Sequence, residues 1–331
     1  MTMRIGRRRA LQAVGAAGAT LAAPHIVQAQ APLDTLKIIV GYPPGGVSDV
    51  VARLIADRLA PGYARSVIVD NKPGAAGRIG IDLLKGSPPD GRTLLLTPAS
   101  TVTVYADIYR NLSYNPTTDL APVTLCASFV HGIAVGPMVP AEVKTLAQFG
   151  EWSKANPAKA SCGNPGEGSF PHFLTLVLGK ALGAPIQAVP YRGGVAALSD
   201  MMANQLAALM LPDGAFLAHT KDGRIRVLAT SGEKRSPFYP DVPTFAEQGV
   251  KEIVVAEWFG IFAPAATPPA IVARASEAIG KIVGTKEIAD AYVNLGMVPK
   301  ANSPAELAAL IKAEAATWGP IIRSTGFKPL E

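Results

Sequence analysis

The chain has 331 residues with 49% hydrophobic content, a formal net charge of +6, and only two cysteines. That length suits two ordinary cores, the composition is not that of a disordered chain, and two cysteines are too few for a disulfide scaffold. Arg4, Arg7, Arg8 and Arg9 all precede the first acidic residue, Asp34, so the remainder of the chain carries only +2 and has no basic footprint for nucleic acid.

In chain order, the basic start, the alanine-rich run from Ala10 to Ala23 and the small-residue site Ala29-Gln30-Ala31 predict a cleaved secretory signal over 1–31. Arg7-Arg8-Arg9-Ala10-Leu11 also fits a twin-arginine leader, and an ordinary export signal with a basic start can look the same. The apolar core is too short to span a bilayer, and no later run reaches the roughly 18 apolar residues a span requires. A periplasmic, exported protein is expected. Cys126 and Cys162 could pair in an oxidising compartment or stay free; their spacing fixes neither.

Apolar β-like runs at 36–40, 67–69, 93–96 and 123–125 alternate with helical patterns at 48–59 and 75–84, which predicts one α/β unit on a mostly parallel sheet. A second series begins near Ala134, with helices at 145–155, 170–182 and 195–203 and strands at 159–162, 186–189, 206–211 and 225–229. After a strand within 253–263, three amphipathic helices follow near 268–283, 286–295 and 303–323. The last opens on a capping box, Ser303-Pro304-Ala305-Glu306. Helices without strands must cover an existing sheet, most simply the first. The expected organisation is therefore lobe 1 over 32–133 plus 252–331 and lobe 2 over 134–251, with two crossings that form a hinge and a cleft.

Two glycine-rich strand-to-helix junctions stand out. In Val40-Gly41-Tyr42-Pro43-Pro44-Gly45-Gly46-Val47-Ser48 an apolar strand ends in glycines and opens into a helix, which puts unpaired N–H groups and the positive end of a helix dipole before a cleft. Cys162-Gly163-Asn164-Pro165-Gly166-Glu167-Gly168-Ser169 repeats the arrangement in the second unit. Two anion seats facing one cleft suit a carboxylate ligand. The run Gly74-Ala75-Ala76-Gly77-Arg78-Ile79-Gly80 lacks the dinucleotide spacing and reads as a turn whose glycines let a helix approach the sheet.

Catalytic chemistry is sparse. Neither glycine junction supplies the closing glycine of a nucleophile elbow, which leaves Ser169 with His172 as the only hydrolase hint. His131, His172 and His219 lie outside metal-ligand spacings, so no metal or other cofactor is expected. A phosphate or phosphonate receptor built on the same seats remains an alternative.

The chain resembles the Bug-type solute receptors of tripartite tricarboxylate transport systems from Leu36 onward. The motifs that carry the likeness are Val40 to Asp49, Asp70-Asn71-Lys72-Pro73-Gly74-Ala75-Ala76-Gly77, Pro89-Asp90-Gly91-Arg92-Thr93-Leu94-Leu95, Val189-Pro190-Tyr191-Arg192-Gly193, Pro243-Thr244-Phe245-Ala246-Glu247-Gln248-Gly249 and Trp258-Phe259-Gly260-Ile261-Phe262-Ala263-Pro264. The resemblance implies a type 2 periplasmic binding protein: two α/β lobes that close on a small organic acid for a membrane transporter or a sensor, as a monomer and without enzymatic activity. It also implies that the ligand carboxylate is held by backbone amides, hydroxyls and water, with few or no charged side chains. Carried over by position, the first-lobe seat is Tyr42, Gly45, Gly46, Ser48 and Asp49, followed by Thr97, Ala99 and Ser100. The second-lobe seat is Gly163, Gly168, Ser169 and His172, followed by Tyr191 and Gly193.

Two features depart from the family pattern: Glu167 stands in the second seat, and Ala203-Asn204-Gln205-Leu206-Ala207 lacks an acidic residue. A negative group there disfavours a second ligand carboxylate, and Phe170 is expected to stack on a ligand ring, so an aromatic monocarboxylate is expected over citrate, with a dicarboxylate as the alternative.

Overall fold

The computed structural model describes residues 31–221 and 223–331, so the predicted leader and its twin-arginine motif lie outside the described residues. Residues Pro32–Glu331 form one compact unit. Strand β1 (Leu33–Val40) pairs in parallel with β2 (Ala64–Asn71) and β3 (Thr93–Pro98), and β5 (Ser161–Asn164) pairs in parallel with β6 (Gln187–Pro190) and β7 (Ala208–Pro212). Between these parallel triplets lie β4 (Leu120–Val135) and β9 (Ala256–Pro264), giving the order β2-β1-β3-β9-β4-β7-β5-β6. Both β8 (Arg226–Thr230) and the short β10 (Val298–Pro299) also pair with β4.

Parallel pairing is thus confined to the flanks, which corrects the expectation of a mostly parallel sheet. β9 runs antiparallel to β3 and β4, and β4 runs antiparallel to β7 and β8. β4 is also 16 residues long, where a three-residue strand is expected from the sequence. It is covered on both faces through most of its length, so the alternation that marks a half-exposed strand is missing. Its first part, through Val130, pairs with β9; from His131 onward it pairs with β7 and β8. The chain returns beside the same point: Ser231 N–H donates to His131 O (2.8 Å) and Val255 N–H to Ser231 O (2.7 Å).

The helices follow their apolar stripes. α1 (Val47–Leu59) turns Val51, Ile55 and Leu59 inward, and α2 (Arg78–Lys85) turns Ile81 and Leu84 inward. The glycines of the 74–80 run do allow close approach, because a Cβ on Gly41 would meet Gly77 O at 2.7 Å and one on Gly80 would meet Gly41 Cα at 3.1 Å. The short helices α3 (Ser100–Thr103) and α4 (Tyr105–Ile108) have no clear signal in the sequence. α5 (Leu146–Ala155), α6 (Phe170–Leu182) and α7 (Gly194–Met202) accompany the second triplet. In the tail come α8 (Pro269–Val283), α9 (Lys286–Val293) and α10 (Pro304–Ser324).

Helix α10 carries the predicted capping box: Glu306 N–H donates to Ser303 Oγ (3.2 Å) and Ser303 N–H to Glu306 Oε2 (2.8 Å). It does not cover the first triplet alone. Trp318 sits edge-on to Phe170 of α6 with ring centroids 4.8 Å apart. Cys126 and Cys162 are both buried, free thiols. Among the described residues, no helix is long and apolar enough to cross a membrane.

Candidate functional site

The carboxyl ends of all six parallel strands open onto one cavity of about 820 Å³. Parallel strands deliver their loops to the same edge, and that edge is where ligands of α/β sheets sit. From the first triplet come Tyr42 and Ser48 after β1, Gly74 to Arg78 after β2, and Pro98, Ser100, Tyr105 and Tyr109 after β3. The second triplet contributes Gly166, Glu167 and Ser169 after β5, Tyr191 to Gly193 after β6, and Pro212 ending β7.

The floor belongs to the central strands. Phe129 is directly opposite Glu257, so their side chains share a face, and the two-residue period adds His131 on β4 and Phe259 on β9 to it.

Of the residues expected from the sequence, Tyr42, Ser48, Ser100, Ser169, Tyr191 and Gly193 line this cavity. The hydroxyls of Ser48 and Ser100 have no hydrogen-bond partner among the described residues, and no side chain caps α1; its Val50 N–H donates to Gly46 O, which leaves the N–H groups of Val47, Ser48 and Asp49 uncommitted. Tyr42 and Tyr105 both donate from their phenols to Ala76 O, at 3.3 and 3.0 Å. Burial first, and the neighbouring Glu257 second, hold the Tyr42 phenol above its ordinary range.

Gly45, Gly46, Asp49, Thr97, Ala99, Gly163, Gly168, Phe170 and His172 are not among the cavity-lining residues. Asp49 is the hub of the first turn: its carboxylate accepts from Gly45 N–H (2.9 Å), Arg53 Nε (3.0 Å) and Asn71 Nδ2 (3.0 Å). Burial opposes its charge, but those hydrogen bonds keep the carboxyl below its ordinary value. The Gly45 amide is therefore spoken for, Gly46 N–H leans on Pro43 O at 3.4 Å, and Ala99 N–H donates to Trp258 O. Thr97 Oγ1 is paired with Thr101 Oγ1 at 2.9 Å. Gly163 lies in a buried strand, where a Cβ would meet Leu209 at 2.7 Å.

The second junction is likewise closed on itself. Ser169 Oγ donates to Gly166 O (2.7 Å) and caps α6 by accepting from His172 N–H, and His172 Nδ1 accepts from Gly168 N–H (3.1 Å). The Ser169 hydroxyl and the His172 imidazole are thus each satisfied by backbone and not by each other, so the nucleophile–base pairing of a hydrolase is absent from this pair. Burial holds His172 below its ordinary pKa. Phe170, expected to stack on a ligand ring, is 1% exposed and packs on Trp318; its position just inside the helix turns it into the core. The aromatic walls of the cavity come instead from Tyr42, Tyr105, Tyr109, Phe129, Phe259 and Tyr191.

Charged side chains that the carried-over pattern omits line the cavity as well. Arg78 lies over the Tyr109 ring, 3.9 Å from its centroid, while Arg192 and Glu167 are exposed at the rim. Glu257 is 6% exposed and His131 fully buried, with His131 Nε2 3.0 Å from Glu257 Oε2. Neither ring nitrogen of His131 has a well-formed hydrogen bond. A sequence signal for both existed: each is a lone ionisable residue inside an otherwise apolar strand. Among the described residues, no group of histidine, cysteine and acidic side chains could hold a metal ion.

Comparison with known proteins agrees with this architecture. The sequence pattern of the tripartite tricarboxylate transporter family receptor matches residues 51–327. Protein BugT of Bordetella pertussis is 32% identical over 98% of this chain and 99% of its own length. Among solved structures, the R. palustris protein Rpa4515 with adipate superposes with a TM-score of 0.82 at 29% identity, covering 89% of this chain and 98% of that one. MatC from Rhodopseudomonas palustris with bound malate gives 0.77 at 25% identity, covering 87% and 98%. The periplasmic binding protein BugD gives 0.79 at 27% identity, covering 89% and 99%.

Proposed function

We propose, since this chain belongs to the tripartite tricarboxylate transporter family of receptors, that it is exported, captures a small organic acid in the cavity at the strand ends, and delivers it to a membrane transporter of that class. The observation that carries the reading is the convergence of six strand ends on one cavity that offers uncommitted donors. The solved relatives with adipate and malate support an acid as ligand.

In this reading residues 32–133 with 252–331 form one lobe and 134–251 the other, and the backbone passes at His131 and Val255 are the hinge. The Ser48 and Ser100 hydroxyls, the first-turn N–H groups of α1 and the Arg78 guanidinium receive the ligand carboxylate. A helix N-terminus favours negative charge, and hydroxyl and amide donors bind a carboxylate with little reorganisation. Tyr191, Arg192 and Gly193 then approach from the other lobe, and interactions that the ligand makes only in the closed form draw the equilibrium toward it. Glu167 and Glu257 disfavour a second carboxylate by like-charge repulsion, which favours a monocarboxylate, and the aromatic walls suit a ring.

The test is a thermal-shift screen of the purified protein against organic acids with phosphate as control. A ligand at a hundred times its Kd stabilises by about 2.7 kcal/mol, enough to move the unfolding midpoint visibly. Stabilisation by phosphate alone, or turnover of a bound ester, would refute the receptor reading.

A further inference from the structure

The cavity floor holds an arrangement that capture of a carboxylate does not use. Glu257 presents a carboxylate on the cavity floor that is 6% exposed, and among the described residues its one ion-pair contact is His131, at 3.0 Å without a well-formed hydrogen bond. A carboxylate on a cavity floor keeps only the water that the cavity admits, and a ligand that displaces this water must replace its hydrogen bonds. No arginine or lysine forms an ion pair with Glu257 among the described residues, and no side-chain or backbone N–H donates to it. A carboxylate that faces the cavity and accepts no hydrogen bond from the chain among the described residues can be completed by a donor on the ligand.

We infer that Glu257, with His131 buried beneath it, forms an acceptor subsite for a basic nitrogen on the ligand, so that the captured acid carries an ammonium or ring N–H besides its carboxylate. An N–H donor there supplies the charge-assisted hydrogen bond that Glu257 lacks, while His131 stays buried beneath the carboxylate and makes no contact with the ligand. A plain dicarboxylate would instead set its second carboxylate against Glu257. The inference rests on the organic-acid reading above and names the class of acid.

The experiment is calorimetric titration of the purified protein with two matched series, hexanoate, 6-aminohexanoate and adipate, then benzoate, 4-(aminomethyl)benzoate and terephthalate. Within a series the members differ at one end only. The nitrogen-bearing acid is expected to bind roughly tenfold tighter than the plain acid and the diacid, in keeping with one charge-assisted hydrogen bond. Glu257→Gln should close that gap while its circular dichroism stays that of the parent. Plain acids or diacids that bind as tightly as their amino counterparts would overturn the subsite and leave the organic-acid reading standing. No binding by any of the six, together with no hit in the acid screen, would overturn both. The wild-type series decides the matter even if the variant fails to fold.

Discussion

At the scale of single residues, backbone conformation and hydrogen-bond commitments separate the groups that shape the cavity from those that can meet a ligand. Gly77 has a φ of +91°, and a Cβ there would lie 3.0 Å from the Tyr42 hydroxyl oxygen and 3.1–3.2 Å from ring carbons. Gly77→Ala therefore combines a left-handed strain with a displaced Tyr42, and it should destabilise by about 1–3 kcal/mol in denaturant unfolding. An unchanged midpoint would mean that the turn has an alternative conformation. Ser169 acts through its helix: Ser169→Ala removes the cap of α6 and should cost about 1 kcal/mol. Because its hydroxyl is bonded to Gly166 O, covalent labelling of Ser169 by a fluorophosphonate is not expected, and mass spectrometry of the treated protein checks this.

At the scale of elements, the tail helix joins α4, which follows the first parallel triplet, to α6 of the second: its Arg323 Nη1 donates to Asp107 Oδ1 of α4. Its Trp318 meets Phe170 of α6, and Lys180 Nζ donates to Ser324 O at the far end. Phe170→Ala should destabilise by about 3–5 kcal/mol, as expected for a buried aromatic truncated in a packed core, with the loss read in the unfolding midpoint. A large loss of ligand affinity with stability intact would return Phe170 to the binding surface. Ser303→Ala removes a reciprocal pair of hydrogen bonds from the start of the same helix and should cost about 1 kcal/mol by the same measurement.

At the scale of the whole molecule, the buried carboxyl of Asp213 ties stability to pH. Burial pushes its pKa from an ordinary 3.8 to about 6; Ser236 and the Gly214 N–H lie nearby and offset this only in part, since neither carboxylate oxygen has a well-formed hydrogen bond. Its folded-state pKa is above its unfolded one, so its contribution is fully present below about pH 3.8 and is lost as pH rises through about 6. His172 acts with the opposite sign, because its lowered pKa stabilises above its ordinary value and is lost as pH falls. Comparing thermal midpoints of the parent and Asp213→Asn isolates the first effect. The variant should gain on the parent as pH rises through about 6, and a pH-independent difference would remove the buried-proton account.

The sequence by itself determined most helices, the parallel strands and the edge of the site, but not α3, α4 or the length of β4. The apolar runs 36–40 and 93–96 and the stripes of α1 and α6 have one stable burial each, and glycines 41, 77 and 80 mark a backbone approach no other residue allows. Tyr42, Ser48 and Ser169 were legible because they follow strand ends at glycine-rich junctions, whereas Ser100 came only from the family resemblance. Tertiary structure decided the rest. The direction of β4 and β9, the turning of Phe170 toward Trp318, and the meeting of Glu257 with His131 all depend on segments more than a hundred residues apart in the chain. Local pattern fixes which face of an element is apolar. Which partner covers that face, and which lone charge is left beneath the cavity, follows only once the strands are paired.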